Sequence, residues 1–221
     1  MATCVLRVGM PDRPGALGAV ASRIGAVHAD VIGIEILTRA DGRAMDEIIV
    51  EVDGDLLPLL LSEIEEVDGV EVEEVRTLRS GVRDRRLDAY LTASALLEAH
   101  TPDELLAALA VRVSDELDAT WVTVLDTESE LVLASTGRPP STDWLVTEFR
   151  SCKSATASDH SKDAGTSDRV WADLDRFDAA LCAARPGWDF SDHETQKLVT
   201  IARIADARWS EVATRGIGPR L

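Results

Sequence analysis

The sequence is short of basic residues. Its 221 residues include 23 Lys and Arg against 40 Asp and Glu, which gives a formal net charge of −17. Binding to nucleic acids and attachment to anionic membrane surfaces both depend on clustered Lys and Arg. Residues 1–80 and residues 81–221 are each acidic, so neither half fits either role. We therefore expect no nucleic-acid partner and no membrane partner.

Cysteines and long apolar runs are also scarce. The three cysteines, Cys4, Cys152 and Cys182, are odd in number and widely spaced, and Cys4 and Cys182 lie in apolar runs. A thiol in such a run behaves as a small hydrophobic group, so we expect no disulfide framework and a cytoplasmic location. The start of the chain lacks the pattern of a signal peptide, and no run is apolar for long enough to span a bilayer.

Motifs of catalysis are missing as well. The histidines lack the spacing of metal ligands, and there is no Gly-rich phosphate loop and no nucleophile elbow. Only the polar segment at residues 151–167, with Cys152 and His160, offers reactive groups, and we expect it to be a mobile loop. The sequence thus predicts no catalytic residue, no metal and no cofactor, and an enzyme is the minority interpretation.

The first eighty residues alternate between strand and helix patterns. A strand at residues 3–8 is followed by a helix that ends near Val27, and a second strand follows at Val31–Leu37. In that strand Ile32, Ile34 and Ile36 share one face, which predicts a half-buried strand. A hairpin turn at residues 40–43, a third strand, a second helix and a last strand complete the order βαββαβ. This order predicts a ferredoxin-like α+β domain, with helices on one face of an antiparallel sheet.

A turn rich in Gly, Pro and Asp joins the first strand to the first helix. Gly15 has no side chain, so a ligand carboxylate could approach the N–H groups of Ala16 and Leu17. The helix dipole would favour that charge by about 0.3–1 kcal/mol. Asp12 could then accept the ammonium group of the same ligand. Alternatively, Asp12 caps the helix and the turn serves the fold alone.

The turn and the next strand carry a family resemblance. The stretch Asp12-Arg13-Pro14-Gly15-Ala16-Leu17, together with Ala29-Asp30-Val31-Ile32-Gly33-Ile34, resembles an ACT domain over residues 3–78. The resemblance implies a regulatory module whose copies pair side by side, join their sheets and bind an amino acid where the first turn of one copy meets the second strand of its neighbour. The implied ligand-binding residues are Asp12, Arg13, Pro14, Gly15, Ala16, Leu17, Ile32, Gly33 and Ile34.

The second part of the chain resembles a GAF domain over residues 88–212. A helix with an apolar face at Leu87, Tyr90, Leu91 and Leu97 could pack against a second copy of the chain. A capped helix, a hairpin around a polar turn and a polar segment follow. The stretch from Ala183 to Glu194 and the helix after it look like the closing strand and helix of a GAF domain, which implies an α+β fold with a central antiparallel sheet.

The expected domain limits follow from these patterns. Five arginines lie between residues 76 and 88 of an otherwise acidic chain. We interpret this segment as a solvated linker in preference to a nucleic-acid-binding patch. We also expect a short helix at Thr142–Arg150 and a central strand at Phe177–Arg185. The expected parts are an ACT domain at residues 1–79, a linker at 80–87, a GAF-like domain at 88–214 and a tail at 215–221.

Together these expectations indicate a regulatory function. The leading hypothesis is a non-enzymatic cytoplasmic sensor that binds an amino-acid-like small molecule at an ACT dimer interface and couples it to the GAF-like domain. The homodimer would form through the ACT sheets and helices. The alternative is a dimeric protein-interaction module whose two domains no longer bind ligand, with a protein partner that the sequence does not identify.

Overall fold

In the computed structural model, two separate sheets each organise their own part of the chain. The first unit comprises Met1–Arg83 and the second Asp84–Leu221. The structure describes residues 1–78, 85–158 and 168–215. Within those ranges no helix has the length and hydropathy needed to cross a membrane.

The first unit has the predicted order βαββαβ. Its elements are β1 (Ala2–Pro11), α1 (Ala16–Ala26), β2 (Asp30–Ala40), β3 (Arg43–Val52), α2 (Leu57–Glu65) and β4 (Glu71–Thr77). The strands form one antiparallel sheet in the order β2-β3-β1-β4, so β2 and β4 are its edges. The predicted ferredoxin-like architecture is confirmed.

Both helices cover the same face of this sheet. Strand alternation sends every second side chain of β1 to that face, where these side chains join the apolar stripes of the helices. The shared buried cluster includes Cys4, Leu6, Val8, Met10, Val20, Ile24, Leu60 and Ile64. On the opposite face, the guanidinium of Arg7 lies 2.9 Å from Glu47 and 2.8 Å from Glu74, which links β1 to both of its neighbours.

The turn between β2 and β3 is a two-residue hairpin, as predicted. Asp41 and Gly42 both have positive φ, 52° and 74°. Positive φ at both central residues matches the right-handed twist of the paired strands. The hairpin brings β2 alongside β3 and leaves the other side of β2 without a strand partner in the described chain.

The second unit is also α+β. Its elements are α3 (Arg85–Glu98), α4 (Pro102–Glu116), β5 (Trp121–Asp126), β6 (Leu131–Gly137), α5 (Thr142–Ser158), β7 (Arg169–Leu174), β8 (Ala179–Ala184) and α6 (Asp192–Arg215). The strands form a second antiparallel sheet in the order β6-β5-β8-β7. The predicted class and the central antiparallel sheet are confirmed.

Helices lie on both faces of the second sheet. On one face, α3, α4 and α6 pack against alternate residues of the central strands, including Val122 and Leu181. On the other face, Leu145 and Val146 of α5 pack against Cys182 of β8. The sheet is therefore the middle of three layers, with its two central strands buried on both faces.

Helix α5 is longer than predicted. It continues from Thr142 to Ser158, so the loop expected at residues 151–167 is wrong for residues 151–158. Residues 159–167, including His160, lie outside the described residues. A loop was predicted here because the small polar residues at this end of α5 have low helix propensity.

Contacts with the neighbouring strand explain the extension of α5. Lys153 Nζ lies 2.7 Å from Asp173 Oδ2 on β7. The rings of Phe149 and Trp171 lie 5.4 Å apart between centroids. Packing against a strand therefore stabilises helical turns that local propensity disfavours.

Other boundaries also differ from the expectations. Strand β7 is not among the predicted elements, although Val170, Ala172 and Leu174 alternate as its buried face. Strand β8 is central, as predicted, but begins at Ala179 because residues 175–177 form a 3₁₀ turn. Helix α3 begins at Arg85, inside the expected linker, whose residues 80–84 lie outside the described residues. Of the expected tail, only Arg215 is described, as the last residue of α6.

The start of α6 is organised by a buried ion pair. The guanidinium of Arg185 donates to Glu194 at 2.6 Å and to the carbonyl oxygens of Leu117, Trp188 and Asp189 at 2.9, 3.1 and 2.9 Å. The side chains of Arg185 and Glu194 are 3% and 5% exposed. Glu194 also completes the capping box predicted at Ser191, since it accepts from the Ser191 N–H at 2.9 Å.

Removing Glu194 should destabilise the second unit strongly. The change Glu194→Ala leaves a buried guanidinium without its counter-charge, which costs about 3–5 kcal/mol of unfolding free energy. The control is Asp173→Ala on β7, where an exposed carboxylate pairs with the exposed Lys153. The loss there should be below about 1 kcal/mol.

Urea unfolding followed by tryptophan fluorescence measures this difference. All five tryptophans lie between residues 121 and 209, so the signal reports on the second unit alone. Equal losses in the two variants would contradict the assignment of the Arg185–Glu194 pair as the main anchor of α6.

Candidate functional site

A sharp turn separates β1 from α1. Strand β1 ends at Pro11, and α1 begins at Ala16 after Gly15, which has a left-handed backbone with φ of 90°. Glycine adopts this conformation at little cost, whereas a side chain there would be strained. A Cβ built on Gly15 would meet no atom within 4 Å, so the space beside the helix start is open.

The backbone donors of this turn are partly engaged. The N–H of Ala16, which was predicted to face a ligand carboxylate, donates to the carbonyl of Arg13 at 3.3 Å. No side chain caps α1, which excludes the alternative that Asp12 is its cap. The N–H of Asp12 instead donates to the carbonyl of Gly42 at 2.9 Å. The turn is thereby joined to the β2–β3 hairpin.

The charged side chains of the turn form long, exposed ion pairs. Asp12 Oδ1 lies 3.9 Å from Arg39 Nη1, and Arg13 Nη2 lies 3.8 Å from Asp68 Oδ2. Exposed pairs of this kind contribute little to stability. A bound ligand that carries its own charges could therefore replace them at small cost.

The second half of the predicted site lies on the edge strand β2. Ile32, Ile34 and Ile36 are 39%, 45% and 51% exposed, so the face predicted to be half-buried is open in the single chain. Gly33 pairs with Ile49, and a Cβ at Gly33 would lie 3.2 Å from Ile49 Cδ1. Gly33 therefore allows close packing against β3.

A single subunit does not bring the two halves together. The turn follows the end of the sheet at which Pro11 pairs with Arg43, whereas Gly33 pairs with Ile49. At about 3.4 Å per residue, positions 43 and 49 of β3 are roughly 20 Å apart. A site that uses both the turn and Ile32–Ile34 therefore needs a second copy of the chain.

A buried carboxylate lies at the turn end of the same sheet. Asp46 of β3 is 3% exposed, and its Oδ1 has no hydrogen-bond partner among the described residues. It pairs with Val8 of β1 and Ile36 of β2. Since side chains alternate along a strand, Asp46 faces the same way as Ile48, toward the helices. Buried polar atoms without partners are rare in folded proteins.

Asp46 belongs to one electrostatic neighbourhood with the turn. Burial raises the pKa of Asp46, the positive charge of Arg39 lowers it, and the negative charge of Asp12 raises it again. The net direction is upward. The turn end of the helix-covered face thus combines two carboxylates with one guanidinium.

The alternation of β3 contains a signal for Asp46. The pattern predicts Ile48, Val50 and Val52 as the apolar face of this strand. Asp46 lies two residues before Ile48, so the alternation places it on the same face. An acidic residue in an apolar phase of a strand marks a buried carboxylate, and this signal was available from the sequence.

Of the two reactive groups in the minority enzymatic interpretation, the structure describes Cys152 alone, because His160 lies outside the described residues. Cys152 lies on α5, where burial, followed by the negative charge of Glu148, raises the pKa of its thiol. A raised pKa disfavours the nucleophilic thiolate. Within residues 1–78, 85–158 and 168–215, no three His, Cys, Asp or Glu side chains are grouped to hold a metal ion.

Residues 5–69 match the family model of the ACT domain. The chain therefore contains an ACT domain, and the resemblance carried by the turn and the second strand is confirmed. The second unit contains the elements predicted for a GAF-like domain in the predicted order, with strand β7 in addition. No curated protein matches the chain.

Several solved structures are similar to parts of the chain. The ACT domain from GTP pyrophosphokinase of Chlorobium tepidum is 20% identical over 35% of this chain and 97% of its own, with a TM-score of 0.29. An ACT domain protein from Streptococcus pneumoniae is 15% identical over 34% and 89%, with a TM-score of 0.29. The GAF domain from an Acinetobacter phosphoenolpyruvate-protein phosphotransferase is 13% identical over 63% and 99%, with a TM-score of 0.42. Because the sequence identities and TM-scores are low, these structures are reported as similar and carry no further conclusion. The ACT assignment rests on the family model.

Replacing Asp46 should change how stability depends on pH. Because folding raises the pKa of Asp46 above its ordinary value of 3.8, the folded state favours the protonated form. This stabilising contribution is complete below the ordinary value and is lost as the pH rises through the raised pKa. As the pH rises from 3 to 7, the unfolding free energy of Asp46→Asn should therefore increase relative to that of the wild type. This range of roughly 4 pH units includes the ordinary pKa of an aspartate.

Urea unfolding followed by the amide NMR signals of residues 1–78 measures this change in the first unit. The exposed Asp53→Asn, just after the same strand, is the control for the loss of one negative charge. A pH profile of Asp46→Asn parallel to that of Asp53→Asn would contradict the direction given for Asp46.

Proposed function

We propose that this protein is a non-catalytic regulatory sensor of the cytoplasm. Its ACT domain binds an amino acid or a related metabolite within a homodimer, and occupancy is coupled to the GAF-like second domain. The observation that carries the proposal is the turn at residues 12–15, which lies within the matched ACT domain and leaves open space beside the start of α1.

The shape of the turn supports ligand binding. Gly15 presents no side chain toward the open space, and the positive end of the α1 dipole favours an anion there. The ligand-binding residues in this proposal are those of the turn and of β2 that the resemblance implies: Asp12, Arg13, Pro14, Gly15, Ala16, Leu17, Ile32, Gly33 and Ile34. The N–H of Ala16 contributes only if its long bond to Arg13 opens.

The exposed edge of the first sheet supports the homodimer. β2 is an edge strand that exposes the side chains of Ile32, Ile34 and Ile36. Antiparallel pairing of two β2 edges would place the turn end of one sheet beside the Ile32 end of the other. The two halves of the site, roughly 20 Å apart in one subunit at about 3.4 Å per residue, would then meet.

A second candidate function is supported by an exposed face of α3. Leu87, Tyr90, Leu91 and Leu97 are 51%, 74%, 50% and 61% exposed, and they lie on one side of this helix. Apolar faces of this kind mark protein interfaces. The alternative is therefore a dimeric interaction module that has kept both domains for assembly and for a protein partner.

Thermal-shift measurements with each standard L-amino acid distinguish the two functions. A ligand that binds only the folded state stabilises it by about 2.7 kcal/mol at 100 times its dissociation constant. The sensor should show such a shift with at least one amino acid, whereas the interaction module should show none.

The variant Gly15→Ala tests whether the turn forms the site. A side chain at φ of 90° is strained, so the turn should leave its binding conformation, and affinity should fall by about tenfold or more. The matched control is Gly18→Ala, also in open space but inside α1, which should keep wild-type affinity. Equal affinities in the two variants would move the site away from the turn.

The variant Ile34→Lys tests the proposed dimer. A lysine on an edge strand blocks strand pairing, so sedimentation velocity should show a smaller species than the wild type. The control is Leu59→Lys, which places the same charge on an exposed position of α2. A wild type that sediments as a monomer, or an Ile34→Lys variant that sediments like the control, would refute pairing through β2.

A further inference from the structure

The unpartnered carboxylate of Asp46 points to a specific class of ligand. Three charged side chains, Asp12, Arg39 and Asp46, lie at the turn end of the first sheet. Their positions follow from the strand register: Arg39 and Met10 both pair with Ala44, and Ala44 and Asp46 are two residues apart on β3. Arg39 and Asp46 therefore lie on the helix-covered face, and Asp12 Oδ1 lies 3.9 Å from Arg39 Nη1.

Burial differs sharply within this group. Asp46 is 3% exposed, whereas the side chains of Asp12 and Arg39 are 42% and 57% exposed. Asp46 is thus the buried member of the group, and Asp12 and Arg39 are its exposed members. The two exposed members form a long ion pair, since Asp12 Oδ1 and Arg39 Nη1 lie 3.9 Å apart.

The hydrogen bonds at Asp46 are incomplete. Its Oδ1 has no hydrogen-bond partner among the described residues, although it is buried. A buried carboxylate oxygen only accepts hydrogen bonds, and leaving it unpaired is costly. An ammonium group would supply both the missing donor and a compensating charge.

Arg39, an exposed member of the group, supplies donors for a carboxylate. A guanidinium binds a carboxylate through two parallel N–H donors. An α-amino acid carries an ammonium and a carboxylate on the same carbon. The group thus offers a partner for each charge of a zwitterion, close to the positive end of the α1 dipole.

We propose that Asp46 is a ligand-binding residue that accepts the ammonium group of an α-amino acid, while Arg39 holds its carboxylate. This inference rests on the proposed function, because it assigns the chemistry of the ligand that the turn binds. It predicts that the site discriminates against molecules that lack either charge. A 2-oxo acid leaves Asp46 without a donor, and a decarboxylated amine leaves Arg39 without an acceptor.

Calorimetric titration with three related probes tests the proposal. The probes are the L-amino acid that gives the largest thermal shift, the 2-oxo acid derived from it and the amine derived from it. The wild type should bind the amino acid about tenfold or more tightly than either derivative. In Asp46→Asn the preference over the 2-oxo acid should disappear, and in Arg39→Gln the preference over the amine should disappear.

The ratio between probes separates a binding role from a structural one. A variant that merely perturbs the fold weakens all three probes alike and leaves the ratios unchanged. Asp53→Asn is the control and should keep the wild-type ratios. The amide NMR signals of residues 1–78 establish that each variant is folded.

The possible failures are distinct. If no amino acid binds the wild type, the proposed function fails and this inference fails with it. If an amino acid binds the wild type and Asp46→Asn keeps its preference over the 2-oxo acid, the sensor function stands and the role of Asp46 is refuted. Loss of that preference in Asp46→Asn alone, with Asp53→Asn unchanged, supports the assignment.

Discussion

The continuous pairing of β1 with β3 is the constraint on which the first unit depends. Ala2 to Pro11 pair with Val52 to Arg43 without a register shift, whereas the pairings of β2 and β4 are both interrupted. An unshifted ladder fixes the face of every side chain along both strands, because a slip by one residue would exchange the two faces. The same alternation that buries Leu6 and Ile48 therefore also buries Asp46. A charged group at this position is a consequence of register, and the fold tolerates it beside an apolar core.

The sequence predicted those parts of the molecule that depend on local pattern. The order βαββαβ, the Asp41–Gly42 hairpin and the capping boxes at Thr101 and Ser191 follow from residues close together in the chain, and all are present. The continuation of α5 and the strand β7 depend on each other across the sheet, so local propensity did not reveal them. In the candidate site, the turn was recognised from its composition. Asp12, Arg39 and Asp46 come from the turn, β2 and β3, which are brought together by the folding of the sheet.

The two units solve the problem of buried charge differently. In the second unit, Arg185 satisfies its donors with Glu194 and three carbonyl oxygens, which suits a structural anchor. In the first unit, Asp46 has an oxygen without a donor among the described residues. A complete network rigidifies, whereas a buried polar atom without a partner is costly. A ligand donor would therefore relieve a cost at Asp46, whereas the Arg185–Glu194 pair has no such need.

The two edges of the first sheet differ in a way that bears on solubility. β2 exposes isoleucines, but its register shifts after Val31 and after Ile36 interrupt the row of backbone groups that a further strand would need. β4, at the opposite edge, carries Glu71, Glu73 and Glu74, which repel the same edge of another molecule. One edge accepts only a short partner strand and the other accepts none of its own kind. Pairing of two β2 edges would leave the two β4 edges outermost, and their acidic residues oppose growth of the sheet into an open-ended fibre.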